Sequence, residues 1–340
     1  MGIKNLSALL KKYAPNAVQQ IPVANLEPGY YALDVSGYLF ASQYNGSSKG
    51  KNNHIMDFLN LIHLAGRAGI HFVFIFDGNT KSEAKQHTTD ERADKVSRTK
   101  QRIAELIGEP DDSSASSAEL KQRGVTQLPQ LTGEARVEME MILKNFIVIR
   151  PECYTDLRTL FEKIGAPYFQ AKGEADFLCA SLYRAQMIKG VFSEDMDMLT
   201  HGVGRLVRGV MSATFYRDGL LTVCELDQVL QGLDLSMPQF RDVCILSGCD
   251  YGPKLEGVAS VRGLTLVKKY GNMAGIISSG KFSIPDAFQA DYERTYGIFS
   301  TEQETIPVEI TASTACPTLL PWLIEKTGLS ETRLRALVYV

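Results

Sequence analysis

Two short β-forming runs, YYALDV at 30–35 and HFVFIFD at 71–77, each carry an aspartate at or near their carboxyl end, Asp34 and Asp77. Between them Ile55, Phe58, Leu59, Ile62 and Ala65 recur at helical spacing, and the run stops at glycine. Strand, helix, strand in this order seeds a parallel sheet. The alternation continues with a helix over Tyr154–Ile164 ended by Gly165, a strand in PYFQA and a helix in EADFLCASLYRAQMI. GVFSEDMD then reads as a strand with its exit turn, and RLVRGV as a further strand. The expectation is an α/β fold with a mostly parallel central sheet flanked by helices. Two stretches depart from it. Residues 109–135, with DDSSASSAE near their start, are polar and Ser-rich and read as a mobile loop or insertion. From about residue 238 strand signals stop and helices dominate, which predicts a smaller helical lobe.

With 340 residues the chain can form one large α/β domain or two modest ones. A net charge of −3 argues against a non-specific coat for nucleic acid, although it hides any segregation of acids from bases. The six cysteines (Cys153, Cys179, Cys224, Cys244, Cys249, Cys316) contain no C-x-x-C pair, and the five histidines show no ligand spacing. Zinc sites and disulfides are therefore not expected, and a reducing compartment fits. Without an 18-residue apolar segment or a signal-like start, a soluble intracellular protein with no membrane partner is expected.

Ligands of open α/β sheets gather beyond the carboxyl ends of the strands, and seven acids fall at such ends. Asp34 and Asp77 close the first two strands. Asp195 and Asp197 lie two apart at the end of GVFSEDMD, where an extended backbone points both the same way. Glu174 and Asp176 open a helix, at the end whose dipole favours negative charge. Asp250 ends the apolar run of ILSGCDYG. So many carboxylates in one region repel each other unless cations intervene. An oxygen-only set points to Mg²⁺, with Mn²⁺ as a substitute. Two such ions, about 3.5–4 Å apart, activate water and stabilise the leaving oxygen of a phosphodiester. A single strand-end aspartate is ordinarily a turn or cap residue; the coincidence of seven carries the metal reading.

Directly after Asp77 comes a basic run. Stepping by 4 and 3 from Lys81 gives Lys85, Thr88, Arg92, Lys95, Thr99 and Arg102, a helical face with five bases and no acid. A solvated charged helix is the plain alternative. Its place beside the acids favours phosphate binding.

These segments together resemble the XPG-type 5′ nucleases, the group of flap endonucleases and related 5′–3′ DNA exonucleases. MGIKNLSALL is similar to the family's start, with Gly2 near the DNA. ALDVSGYLF, FVFIFDGNT, GEADFLCASL, SEDMDMLT and ILSGCDY resemble its nuclease motifs in order, over nearly the whole chain. The resemblance implies a PIN-like nuclease core with a helical arch and a helix-two-turn-helix lobe. The parts expected are an N-terminal nuclease region at 1–108, an arch or cap insertion at 109–150, an internal nuclease region at 151–250, and the lobe with its C-terminal helices at 251–340. It implies metal binding by Asp34, Asp77, Glu174, Asp176, Asp195, Asp197 and Asp250. Lys85 and Arg92 resemble the gateway pair that contacts the scissile phosphate, displaced by one residue from the spacing in flap endonucleases. Phe40, with Tyr38 as a second candidate, is the implied base-stacking aromatic, and Lys81, Lys95 and Arg102 extend the basic track. GVASVRGLTLVKKYG at 257–271 resembles the segment that grips duplex DNA through backbone amides and a monovalent cation such as K⁺. Gly257, Ala259, Arg262, Lys268 and Lys269 are its implied contacts, with Ala259 in place of the family's second glycine.

The implied partner is DNA with 5′ flaps, nicks, gaps or ends, in replication, repair or recombination. A monomer is expected, without a sliding-clamp tail, in the nucleus of a eukaryote. E-A-D and S-G-C-D-Y lean toward the exonuclease branch. The rival functions are a 5′–3′ exoribonuclease, a non-catalytic binding module of the same fold, and a D-x-D glycosyltransferase. The last accounts for neither the basic stripe nor Asp250.

Overall fold

The parallel seed at 30–77 is the centre of the molecule. The computed structural model describes residues 2–46, 52–78, 86–109, 117–253, 255–301, 304–307 and 309–338. The chain begins with α1 (Leu6–Tyr13), β1 (Val18–Pro22), β2 (Gly29–Asp34), α2 (Val35–Gly46), α3 (Asn53–Gly66) and β3 (Ile70–Phe76). Strands β2 and β3 pair in parallel, with Gly29 opposite Ile70 and Asp34 opposite Ile75. Both are near-continuous apolar runs, as strands covered on two faces must be.

Next come α4 (Gln86–Ile107), α5 (Ser117–Gln127), α6 (Gly133–Asn145), α7 (Pro151–Ile164), β4 (Tyr168–Gln170) and α8 (Ala175–Arg184). They are followed by β5 (Val191–Phe192), α9 (Asp197–Thr200), β6 (Arg205–Arg208), α10 (Ala213–Asp218) and β7 (Leu220–Glu225). The rest is helical: α11 (Leu226–Leu233), α12 (Met237–Ser247), α13 (Ser260–Tyr270), α14 (Met273–Ser278), α15 (Phe288–Thr301), α16 (Leu319–Thr327) and α17 (Glu331–Val338).

The sheet order is β1-β7-β6-β5-β2-β3-β4. Strands β2 to β6 run in parallel, while β7 is antiparallel to both β6 and β1. From β2 the chain builds outward through β3 to β4, then returns to place β5 on the other side of β2. That reversal opens a crevice at the carboxyl ends of β2, β3 and β5. One apolar cluster, with α1, α8, α9 and α11 to α15, covers one face of the sheet. A second, with α2, α3, α7, α16 and α17, covers the other, where Phe74 stacks on Phe161 at 3.7 Å between ring centres.

The segment expected as a mobile insertion is largely helical. Helices α5 and α6 pack on α4 around Ile103, Met139, Leu143 and Phe146, a third cluster of its own. Isolated apolar residues in a polar sequence line up on one seam, and Gly124 lets α5 approach: a Cβ there would lie 3.2 Å from Leu143 and Met139. Residues 110–116 lie outside the described part. Among the described residues no helix is long and apolar enough to cross a membrane.

Candidate active site

The crevice collects the acids. Asp34 ends β2, and its Oδ1 accepts backbone N–H bonds from Ser36 (3.1 Å) and Gly37 (3.3 Å). Its Oδ2 accepts from the Ser193 hydroxyl at 3.1 Å, and Ser193 Oγ in turn accepts from the Asp195 N–H. Asp77 follows β3, with Oδ1 bonded to the Ala175 N–H (3.0 Å) and Oδ2 to the Ser36 hydroxyl (2.5 Å). The Gln170 amide donates to the Asp77 carbonyl. Glu174 is the N-cap residue of α8, and its Oε2 accepts from Tyr251 at 2.5 Å. Asp176 lies in the first turn of α8, where helix N–H groups favour anions. Asp250 follows α12 in the loop turned by Gly248, whose φ is +94°.

Asp195 and Asp197 converge by a different route from the one their spacing predicts. Strand β5 stops at Phe192, and Asp197 already begins α9. The Asp195 carboxylate accepts the Asp197 N–H at 2.9 Å, so a turn brings the pair together rather than an extended strand. A short aspartate side chain closes such turns readily. Gly2 fits against both: with φ +82°, a Cβ there would lie 2.0 Å from Asp195 Oδ1 and 2.5 Å from Asp197 Oδ1.

Charge crowding is legible in the proton affinities. Burial first, and then the Asp77 carboxylate, push the Asp34 carboxyl up to about 7. Burial raises the Tyr251 phenol well above its ordinary value, with Asp176, Glu174 and Asp197 adding to it. Burial pushes the Cys249 thiol up to about 12, helped by Asp197 and Asp250. The seven carboxylates thus influence one shared region. Among the described residues no three of the His, Cys, Asp or Glu side chains close round a point as a finished metal cage. The donor chemistry, carboxylate oxygen throughout, still fits a hard divalent cation, which would relieve the raised proton affinity of Asp34.

The expected DNA-contact residues divide. Phe40 is 45% exposed on α2 and available for stacking, whereas Tyr38 is fully buried and its hydroxyl donates to the Val207 carbonyl. Tyr38 is therefore a core residue, corrected from a stacking candidate: it faces inward one turn from the sheet. Lys81 and Lys85 lie outside the described residues. Arg92 falls within α4, but its side chain also lies outside them. Lys95 is exposed. Arg102, expected in the basic track, donates to both Glu138 oxygens (2.7 Å each) and to Glu105 (2.8 Å), because α6 packs alongside. Beyond α12, Gly257 has φ +69° and its carbonyl accepts from Arg262 at 2.9 Å. Ala259 caps α13, Lys268 lies 3.9 Å from Asp234, and Lys269 sits over the Tyr270 ring. This turn faces α1 across an open groove of about 710 Å³ lined by Lys12, Ala259 and Arg262.

Sequence reasoning missed Ser36, Ser193, Gln170 and Tyr251, which hold the acids in place. Ser36 and Tyr251 stand within two residues of Asp34 and Asp250, a proximity that could have flagged them.

The XPG N-terminal domain model matches residues 1–99, and the XPG I-region model matches residues 165–250. Together they cover more than half of the chain, which belongs to the XPG family of nucleases. Flap endonuclease 1-B of Physcomitrium patens is 28% identical over 99% of this chain and 94% of its own length. Flap endonuclease 1-A of the same organism is 27% identical over 98% of this chain and 82% of its own length. The fold resembles the catalytic core of Rad2 in complex with DNA substrate, with a TM-score of 0.71 at 15% identity over 99% of both chains. Flap endonuclease-1 from Methanococcus jannaschii has a TM-score of 0.63 at 17% identity over 94% of both chains.

Proposed function

We propose that this chain is a structure-specific 5′ nuclease that hydrolyses DNA phosphodiesters at 5′ flaps or 5′ ends with two Mg²⁺ ions. The observation that carries the reading is that Asp34 and Asp77 end neighbouring strands at the sheet's switch point, joined through Ser36 and, through Ser193, to the Asp195 turn, with Gly2 pressed against Asp195 and Asp197. Asp34, Asp77, Glu174 and Asp176 would hold one ion, and Asp195, Asp197 and Asp250 the second. Bound divalent ions would polarise a water and the phosphate and offset charge on the leaving oxygen.

The chain's own groups prepare that arrangement. Ser36 ties Asp77 to the backbone beyond β2, Ser193 links Asp34 to the Asp195 turn, and Tyr251 orients Glu174. These bonds fix carboxylate directions before substrate arrives, so little reorganisation is left for the reaction. Lys85 and Arg92 would contact the phosphate to be cut, Phe40 would stack on a base, and the 257–271 turn would hold duplex DNA, with K⁺ as its cation. A monomer in a nucleus completes the reading.

The test is cleavage of a 5′-flap duplex labelled at the flap end, beside a duplex with a recessed 5′ end, each with Mg²⁺ and with chelator. A single product released near the junction is the flap endonuclease outcome; mononucleotides from the recessed end place the chain in the exonuclease branch. If neither DNA is cut in Mg²⁺, the proposal fails, and an RNA substrate or a non-catalytic binding module takes its place.

A further inference from the structure

The segment after α15 returns across the molecule, and Glu304 fastens it to the loop that delivers Glu174. One Glu304 oxygen accepts the backbone N–H of Lys172 and the other that of Gly173, each at 2.8 Å. The Glu304 N–H donates to Ser181 Oγ at 3.0 Å, on the helix whose first turn carries Asp176. Beside it the Lys172 ammonium donates to Thr305 at 3.1 Å. From the opposite side the same loop is met by the backbone after Asp77. The Gly78 N–H donates to the Gly173 carbonyl at 2.6 Å, and a Cβ on Gly78 would lie 2.1 Å from the Lys172 carbonyl oxygen. The loop is thus clamped between Gly78 inside and Glu304 outside, one residue before Glu174.

We propose that Glu304 is a positioning residue for the metal site: by holding two successive peptide N–H groups it sets the direction of Glu174 and the seating of α8. The inference rests on the metal-dependent reading above. A carboxylate so near an acidic centre adds repulsion there. Its presence is accounted for by two charge-assisted bonds to fixed amides, a pairing that a neutral side chain cannot reproduce. Partners that orient metal ligands from behind commonly govern affinity by about 10–100-fold.

The test measures Mn²⁺ binding to the full chain by electron paramagnetic resonance, together with melting temperature and flap-DNA affinity in chelator. Glu304→Ala weakens Mn²⁺ binding about tenfold or more and leaves chelator-state DNA affinity within about twofold. Glu304→Gln, which keeps one acceptor oxygen, falls between. Thr305→Val, which loosens the same strap without touching the amides, binds Mn²⁺ as the parent does. Glu304→Ala with parental Mn²⁺ affinity and a lowered melting temperature would overturn the proposal, leaving Glu304 as a strap fastener. Should Glu304→Ala not fold, parental affinity in Glu304→Gln overturns it equally. A parent that binds no Mn²⁺ sinks the nuclease reading itself, and that is seen before any variant is compared.

Discussion

In the crevice at the strand ends, Asp34, Asp176 and Asp197 are all buried, and the carboxylates of Asp34 and Asp77 are held by backbone N–H groups and serine hydroxyls. On the arch of α4 to α6, Lys95 lies in solvent, Arg102 shares exposed ion pairs, and only a small apolar cluster joins the helices. The two regions serve different needs. A group that must direct a cation is fixed by neighbours whose own positions the core sets, because misplacement by about 1 Å can cost a hundredfold in rate. A cation that draws in a polyanion works through long-range field and tolerates loose placement.

Four changes would break or sharpen that contrast. The largest effect is expected at Gly2→Ala, whose Cβ would collide with Asp195 and Asp197. Cleavage should fall by roughly a hundredfold with little change in melting temperature; a parental rate would show that the site tolerates displacement. Next comes Met139→Ala, which empties part of the arch cluster. It should weaken that cluster by about 2–5 kcal/mol and expose α5 and α6 to protease while the global melting transition stays in place. A whole-molecule drop in melting temperature would mean that the arch is not a separate unit.

A third change probes the core by pH. Burial holds the His54 imidazole below its ordinary 6.5, against the pull of Asp156 at 3.3 Å. Below that pH the unfolded chain binds a proton that the folded one resists. The stability contributed by neutral His54 is therefore present above about 6.5 and is lost as pH falls through the lower folded value. Between pH 7.5 and 5 the parent should lose more melting temperature than His54→Gln; parallel curves would contradict this. The smallest effect is expected for Glu138→Ala, which removes the Glu138 pair of Arg102 and leaves its pair with Glu105. An exposed pair of this kind is screened by solvent and contributes little, so stability should hardly move while flap-DNA affinity rises slightly. A large loss of stability would make the pair a structural tie.

The same contrast governs what the sequence could reveal. Asp34, Asp77, Glu174 and Asp176 were legible because strand and helix ends are marked by local patterning, and those ends meet in a parallel sheet. The Asp195–Asp197 pair was found, but its geometry was not, since a two-residue strand gives way to a turn that only the carboxylate bond reveals. Tyr38 and Phe40 could not be told apart as core and surface without knowing which face of α2 meets the sheet. The arch helices follow from the family resemblance and not from local patterning, because their apolar residues are few and scattered, and each becomes meaningful only beside another helix. Arg102 with Glu138, and Gly173 with Glu304, lie 36 and 131 residues apart, and no local signal links such partners.

The most direct test of the account is Mg²⁺-dependent cleavage by Asp195→Asn, which keeps the shape of the side chain and removes its charge, beside flap-DNA binding in chelator. The account predicts a fall in cleavage of roughly a hundredfold or more, at least the loss typical of an outer-shell partner, with DNA binding retained. Cleavage at the parental rate would contradict two-ion catalysis at this site.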